Sequence, residues 1–121
     1  MATAVKRKLS GSTNGRGIEI SASTSPGTLI HTAVSGTTNG TYDEIWLFAQ
    51  NSSTEDVSLT IQFGGTSDPD DNIIVGVAGN SGLMLVVPGL ILQNSCVVRA
   101  FVSGGVEDCP VIFGFVNSIT D

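Results

Sequence analysis

The stretch GLMLVVPGLILQNSCVVRAFV, residues 82–102, gives the strongest indication of the fold. Two apolar runs, residues 83–87 and 90–92, flank Pro88 and Gly89, and a third run follows a polar break. Proline fixes φ and glycine supplies the positive φ of a type II turn, so the stretch predicts short strands separated by turns. The alternative is that residues 90–92 continue the preceding strand past a kink. Because these strands are apolar on both faces, we expect both faces to be covered, inside the domain or by another subunit.

The rest of the chain repeats this pattern of short strands and turns. Residues 57–63 alternate between apolar and polar side chains, and residues 44–51 form a strand with one aliphatic and one largely aromatic face. Neither a helical period nor a βαβ alternation appears. The pattern predicts an all-β antiparallel β-sandwich, for which a jelly roll is favoured over an immunoglobulin-like Greek key. The remaining predicted strands are residues 18–22, 28–34, 72–77, 96–102 and 111–117.

The charge is unevenly distributed. Lys6, Arg7, Lys8 and Arg16 are four of the five basic residues, whereas all eleven acidic residues lie at Glu19 or beyond. We therefore divide the chain into a basic, flexible N-terminal arm, residues 1–17, and one β-sandwich domain, residues 18–121. The arm is either a frayed tail or a segment that docks onto an acidic surface of a neighbouring subunit or a larger partner. The acidic domain argues against nucleic-acid binding, which needs a basic face.

The cellular setting also follows from the pattern of apolar residues. No apolar run follows the basic start, as a secretory signal peptide would require. The longest apolar stretch, residues 83–92, is ten residues long, about half of a membrane span. We expect a protein made in a cytoplasm, without a membrane partner, whose thiols Cys96 and Cys109 are free rather than paired.

No residue pattern predicts an enzyme or a cofactor. His31 is the single histidine and has no acidic or thiol neighbour in its own segment, so neither a catalytic triad nor a zinc site is expected. The loop with Asp68, Asp70 and Asp71 lacks the spacing and the distal glutamate of an EF-hand, so it is interpreted as a solvated loop rather than a calcium site.

The late strands carry more apolar surface than one sandwich needs, which predicts a subunit interface. The residues proposed for that interface are Trp46, Phe48, Arg99 and Phe101. Arg99 is the lone cation of the domain, and we expect a carboxylate partner, for example on a neighbouring subunit. The alternative is that Trp46 and Tyr42 stack against sugars, which would make the protein a glycan- or receptor-binding module.

The chain resembles small virion proteins of tailed bacteriophages, of the capsid decoration or cement type. The likeness lies in AVKRKLSGSTNGRGI, TLIHTAV, TYDEIWLFAQN and LTIQFGGTSDPDD, and above all in LVVPGLILQNSCVVRAF. The resemblance implies a jelly-roll-like subunit that forms a homotrimer on the outside of a phage head and stabilises the shell. Its partner would then be the major capsid protein, and its location the capsid surface of the virion. For the glycan- or receptor-binding alternative, the resemblance implies a module of a phage tail fibre or surface appendage. The resemblance assigns no individual functional residue.

Overall fold

The computed structural model describes residues 2–103 and 110–121. Within these residues the chain forms nine strands and no helix. The strands are β1 Thr3–Lys8, β2 Ile18–Glu19, β3 Thr28–Thr32, β4 Tyr42–Gln50, β5 Val57–Phe63, β6 Asn72–Val77, β7 Met84–Leu92, β8 Val97–Ser103 and β9 Val111–Thr120.

The strands form two antiparallel sheets. The first has the order β1-β9-β4-β7, with β2 also paired to β9, and the second has the order β3-β8-β5-β6. The pairs are nested along the chain. β5 pairs with β6, and around this hairpin β4 pairs with β7, β3 with β8, and β1 and β2 with β9. One buried cluster joins residues of both sheets, so the sheets pack face to face and the predicted β-sandwich is confirmed.

The core lies between the inward faces of the two sheets. In β4 burial alternates strictly, with Ile45, Leu47 and Ala49 fully buried and the residues between them half-buried. This alternation confirms the face assignment made from the sequence. Leu59 and Ile61 of β5 are also fully buried. Each fully buried leucine or isoleucine side chain contributes roughly 1.5–3 kcal/mol through the loss of its apolar surface from water, so β4 and β5 anchor the sandwich.

Pro88 and Gly89 lie inside strand β7 and do not turn the chain. Pro88 pairs with Trp46 and Leu90 pairs with Ile45, so Gly89 is an extra residue, and its φ is 77°. An extra glycine with positive φ forms a β-bulge, and β7 is an edge strand, where a proline without an N–H is tolerated. The predicted type II turn is therefore wrong, and the alternative of a continuous strand is confirmed.

Residues 3–8 form an edge strand of the first sheet. β1 pairs with β9 from Thr3 opposite Thr120 to Lys8 opposite Phe115, and all six of its residues are exposed. Leu9, directly after it, is 1% exposed and belongs to the core. The packed structure therefore begins before residue 18. An edge strand exposed on both faces lacks the alternation by which strands are found in a sequence.

The eight strands expected from the sequence are all present, and two of them, residues 57–63 and 72–77, have the expected ends. The first is reduced to Ile18–Glu19, and the last runs on to Thr120. Cys96 is a half-buried free thiol, and Cys109 lies outside the described residues.

Candidate functional site

The outer face of the first sheet is built by directly opposed residues of β4 and β9. The pairs are Tyr42 with Ile119, Glu44 with Asn117, Trp46 with Phe115, and Phe48 with Phe113. Because opposed residues of an antiparallel pair point to the same side, the outward positions of the two strands form one continuous surface. Edge strand β7 extends it with Ile91 opposite Glu44 and Leu85 opposite Phe48. We call Trp46, Phe48, Leu85, Ile91, Phe113 and Phe115 the aromatic face.

Two of the aromatic rings of this face are held by direct ring contacts. The rings of Trp46 and Phe115 stack with centroids 6.3 Å apart and an interplanar angle of 13°. The ammonium group of Lys6 lies 4.7 Å from the centroid of the Phe115 ring, in a cation–π contact. Leu85 is 46% exposed, Ile91 57% and Phe113 36%. A preformed apolar surface of this kind is typical of sites that bind another macromolecule.

A single carboxylate fixes the centre of the face. Glu44 accepts hydrogen bonds from the indole N–H of Trp46 at 2.8 Å and from the side-chain amide of Asn117 at 3.1 Å. These two bonds, the one from Trp46 first, lower the pKa of the Glu44 carboxyl below its usual value, while partial burial acts in the opposite direction. The indole is therefore held by both its ring and its N–H.

Two glycines make room for Trp46. A Cβ at Gly114, opposite Leu47 in the pairing of β4 with β9, would collide with the backbone carbonyl oxygen of Trp46. A Cβ at Gly89 would lie 2.8 Å from Cζ2 of the indole. The bulge in β7 thus lets the edge strand pass close to the tryptophan ring.

The four residues expected at an interface lie on opposite sides of the sandwich. Trp46 and Phe48 belong to the aromatic face. Arg99 and Phe101 occupy the outer face of the second sheet, where β5 places Gln62 and Thr60 opposite them. The structure therefore joins these residues into two pairs and not into one patch.

Arg99 forms a hydrogen bond to the turn at residues 25–27 of its own chain. Its guanidinium donates a hydrogen bond to the carbonyl oxygen of Gly27 at 3.2 Å. The neighbouring Gln62 accepts a bond from the Gly27 N–H at 2.9 Å and donates one to Ser25 at 2.9 Å. Among residues 2–103 and 110–121, Arg99 forms no ion pair. Its partner within the described chain is thus a carbonyl group instead of a carboxylate.

The basic residues of the N-terminal segment are divided between two places. Lys6, Arg7 and Lys8 lie on β1, next to the aromatic face. Arg16 lies in the loop before β2. The backbone N–H of Arg16 donates a hydrogen bond to the Thr13 carbonyl at 3.0 Å, which closes a turn in this loop.

A buried polar cluster, which sequence reasoning missed, connects the two sheets. The Nε2 atom of His31 lies 2.7 Å from Oδ2 of Asp43, and both residues are 4% exposed. Asp43 also accepts bonds from the Val34 N–H at 3.2 Å and from the Ser118 hydroxyl at 2.9 Å. The Ser10 N–H donates to Nδ1 of His31 at 3.0 Å. Both ring nitrogens are occupied, so His31 has no free nitrogen with which to deprotonate a nucleophile.

The acidic loop is closed by its own hydrogen bonds. Asp71 accepts a bond from the Ser67 N–H at 3.0 Å, and Asp68 accepts one from the amide of Asn72 at 3.1 Å. In the described part of the chain, no three His, Cys, Asp or Glu side chains gather closely enough to hold a metal ion. The carboxylates of Asp68 and Asp71 therefore organise the loop itself.

No family model matches this chain, and no curated protein or solved structure is significantly similar to it. In the described residues no helix is long and apolar enough to span a membrane.

Proposed function

We propose that the protein is a structural virion protein that decorates the outside of a phage head and stabilises the shell as a homotrimer. The observation that carries this proposal is the aromatic face, an exposed and preformed apolar surface on a small acidic sandwich. Burial of such a surface against another protein is favourable at roughly 25 cal/mol per Å². The assembly is argued from this face, while the trimer, the phage head and its major capsid protein come from the sequence resemblance.

The strand order supports a jelly roll over an immunoglobulin-like Greek key. The nested pairing around the β5–β6 hairpin gives two sheets of four main strands in the orders β1-β9-β4-β7 and β3-β8-β5-β6. A long hairpin rolled up on itself produces this nesting, and the resulting double-sheet architecture is frequent in viral capsid and lectin domains.

Leu85→Glu tests the assembly. Leu85 lies on the aromatic face and is 46% exposed, so the change leaves the core untouched but places a charge in the proposed interface. We expect light scattering at micromolar concentration to give a trimer for the wild type and a monomer for this variant. Burying an unpaired charge costs several kcal/mol, equivalent to a loss of affinity of at least about 100-fold.

Leu29→Glu is the matched control. Leu29 is 40% exposed on the opposite outer face, where it pairs with Arg99. The control variant should remain a trimer. A monomeric wild type would contradict the assembly itself, whereas a trimeric Leu85→Glu variant would contradict the assignment of the interface to the aromatic face.

A groove at one end of the aromatic face favours a second candidate function, glycan binding. Tyr42 and Ile91 line it together with Asn39, Gln93 and Asn94. An aromatic residue next to amide-bearing residues is a suitable environment for a sugar. In this candidate Tyr42 is the stacking residue, because the ring and the N–H of Trp46 are already engaged. Glycan binding that is lost on Tyr42→Ala and kept on Leu85→Glu would favour it over the structural proposal.

A further inference from the structure

We infer that protonation of His31 releases the N-terminal segment from the sandwich. We call the hydrogen bond from the Ser10 N–H to Nδ1 of His31 the latch. When the imidazole takes up a second proton, its Nδ1 atom can no longer accept the hydrogen bond from the Ser10 N–H. The segment that follows β1 is then loosened. This inference concerns a conformational response within the chain and does not depend on the partner proposed above.

The position of His31 is determined by a bulge in β3. Leu29 pairs with Arg99 and His31 pairs with Val98, so Ile30 is the extra residue between them. Ile30 and His31 are consequently both buried, although they are neighbours in a strand. The bulge directs the imidazole between the two sheets, towards Asp43 of β4.

The hydrogen bonds of the ring define its neutral form. A nitrogen that accepts a bond from a backbone N–H carries no proton, so Nδ1 is the acceptor for Ser10 and Nε2 is the protonated donor to Asp43. A second proton would have to be placed on Nδ1, where it would face the Ser10 N–H at the present 3.0 Å separation of the two nitrogens. Two donors cannot bond to each other, so either the ring or the segment at Ser10 must move.

The N-terminal segment is fastened to the same bulge. The Gly11 N–H donates to the carbonyl of Ile30 at 2.9 Å, and the Thr32 N–H donates to the Ser10 hydroxyl at 2.7 Å. Leu9 is buried next to these bonds. Residues 9–11 thus form a short anchor. Loss of the bond between Ser10 and His31 loosens this anchor and leaves the rest of the sandwich intact. β1 ends only two residues before Ser10, so its basic residues lie directly beyond this anchor.

The charged groups around the latch are one carboxylate and two basic side chains. Asp43 is the carboxylate in contact with the ring. Arg7 and Lys8 of β1 line the same groove. The other residues described around this groove, from β3, β9 and the adjoining loops, are uncharged: Ser10, Thr32, Val34, Ser118 and Thr120.

The test is nuclear magnetic resonance of the full chain between pH 8 and pH 5. The ¹⁵N shifts of the ring report its protonation, and hydrogen exchange reports protection of the Ser10 amide after correction for the intrinsic rate. We expect protection at Ser10 to fall roughly tenfold, the effect of one lost hydrogen bond, in step with ring protonation. The amides of Leu59 and Ile61 in the central hairpin should remain protected.

His31→Asn is the matched variant, because its side-chain oxygen takes the place of Nδ1 and accepts the Ser10 N–H at every pH. Protection of Ser10 should then be independent of pH. The inference is overturned if the wild-type ring protonates without a loss of protection at Ser10, or if it stays neutral throughout the range. It is equally overturned if His31→Asn retains the wild-type pH dependence.

Discussion

At the scale of the residue, the turn from Gln93 to Cys96 has an unusual backbone. Its two central residues, Asn94 and Ser95, both have positive φ, 62° and 56°, and the Cys96 N–H donates to the Gln93 carbonyl at 3.2 Å. Both central residues of a type I′ turn require positive φ, for which Asn followed by Gly is the preferred sequence. Asn94 suits this conformation, whereas Ser95 adopts it at a cost.

We predict that Ser95→Gly stabilises the protein. Glycine adopts positive φ without a steric penalty, so the free energy of unfolding should rise by about 0.5–1 kcal/mol. Urea unfolding followed by the fluorescence of Trp46, the single tryptophan, measures the change. Ser95→Val, with a β-branched side chain, should shift the transition in the opposite direction. A gain from both substitutions would mean that backbone strain is not the cause.

At the scale of the element, the bulge in β7 and the indole of Trp46 form one unit. Gly89 combines a positive φ with a close approach to the ring, whereas Gly82 has a positive φ of 68° and no atom within 4 Å of the position that a Cβ would occupy. A comparison of substitutions at these two glycines therefore separates the free-energy cost of the backbone conformation from that of the contact with the ring.

Gly89→Ala should destabilise the protein more than Gly82→Ala. The contact with the ring adds an overpacking cost of about 1–3 kcal/mol to the conformational cost that the two substitutions share. The Trp46 emission should also shift in the Gly89 variant alone. Equal losses of stability, measured by urea unfolding, would show that β7 does not pack against the ring.

The sequence predicts which residues of a strand are buried and which point outward where the two faces of the strand differ. The alternation of β4 identifies its buried and outward residues because one face meets the core. β1 gives no such signal because all its residues are exposed. The contact of His31 with Asp43 joins strands of different sheets, so it depends on the bulge at Ile30 and on sandwich packing, which no local pattern encodes. The bulge at Gly89 cannot be told from a turn by sequence, because Pro-Gly is compatible with either structure.

At the scale of the whole molecule, the two edge strands of the first sheet differ in chemistry. β1 presents Lys6, Arg7 and Lys8, whereas β7 presents exposed leucine and isoleucine side chains. In the proposed assembly the basic edge faces an acidic partner and the apolar edge extends the contact between subunits. The segment is best tested by substitution, because deletion of residues 1–17 would also remove the buried Leu9 from the core.

Replacing Lys6, Arg7 and Lys8 together by glutamate should weaken attachment to emptied phage heads without unfolding the sandwich. All three side chains are exposed, and charge reversal replaces attraction to an acidic surface by repulsion. Sedimentation of bound protein with the heads at several salt concentrations measures the effect. The charge-preserving combination Lys6→Arg, Arg7→Lys and Lys8→Arg should bind like the wild type. Undiminished attachment of the glutamate variant would exclude a docking role for this edge.

The nested order of the strand pairs also sets an order of folding. The β5–β6 hairpin closes a short loop, and each pair outside it joins residues farther apart along the chain, up to Thr3 and Thr120. Because closing a longer loop costs more entropy, pairing is expected to proceed outward from this hairpin. β1 then finds its partner strand last, so the basic edge is completed only after the rest of the sandwich has formed.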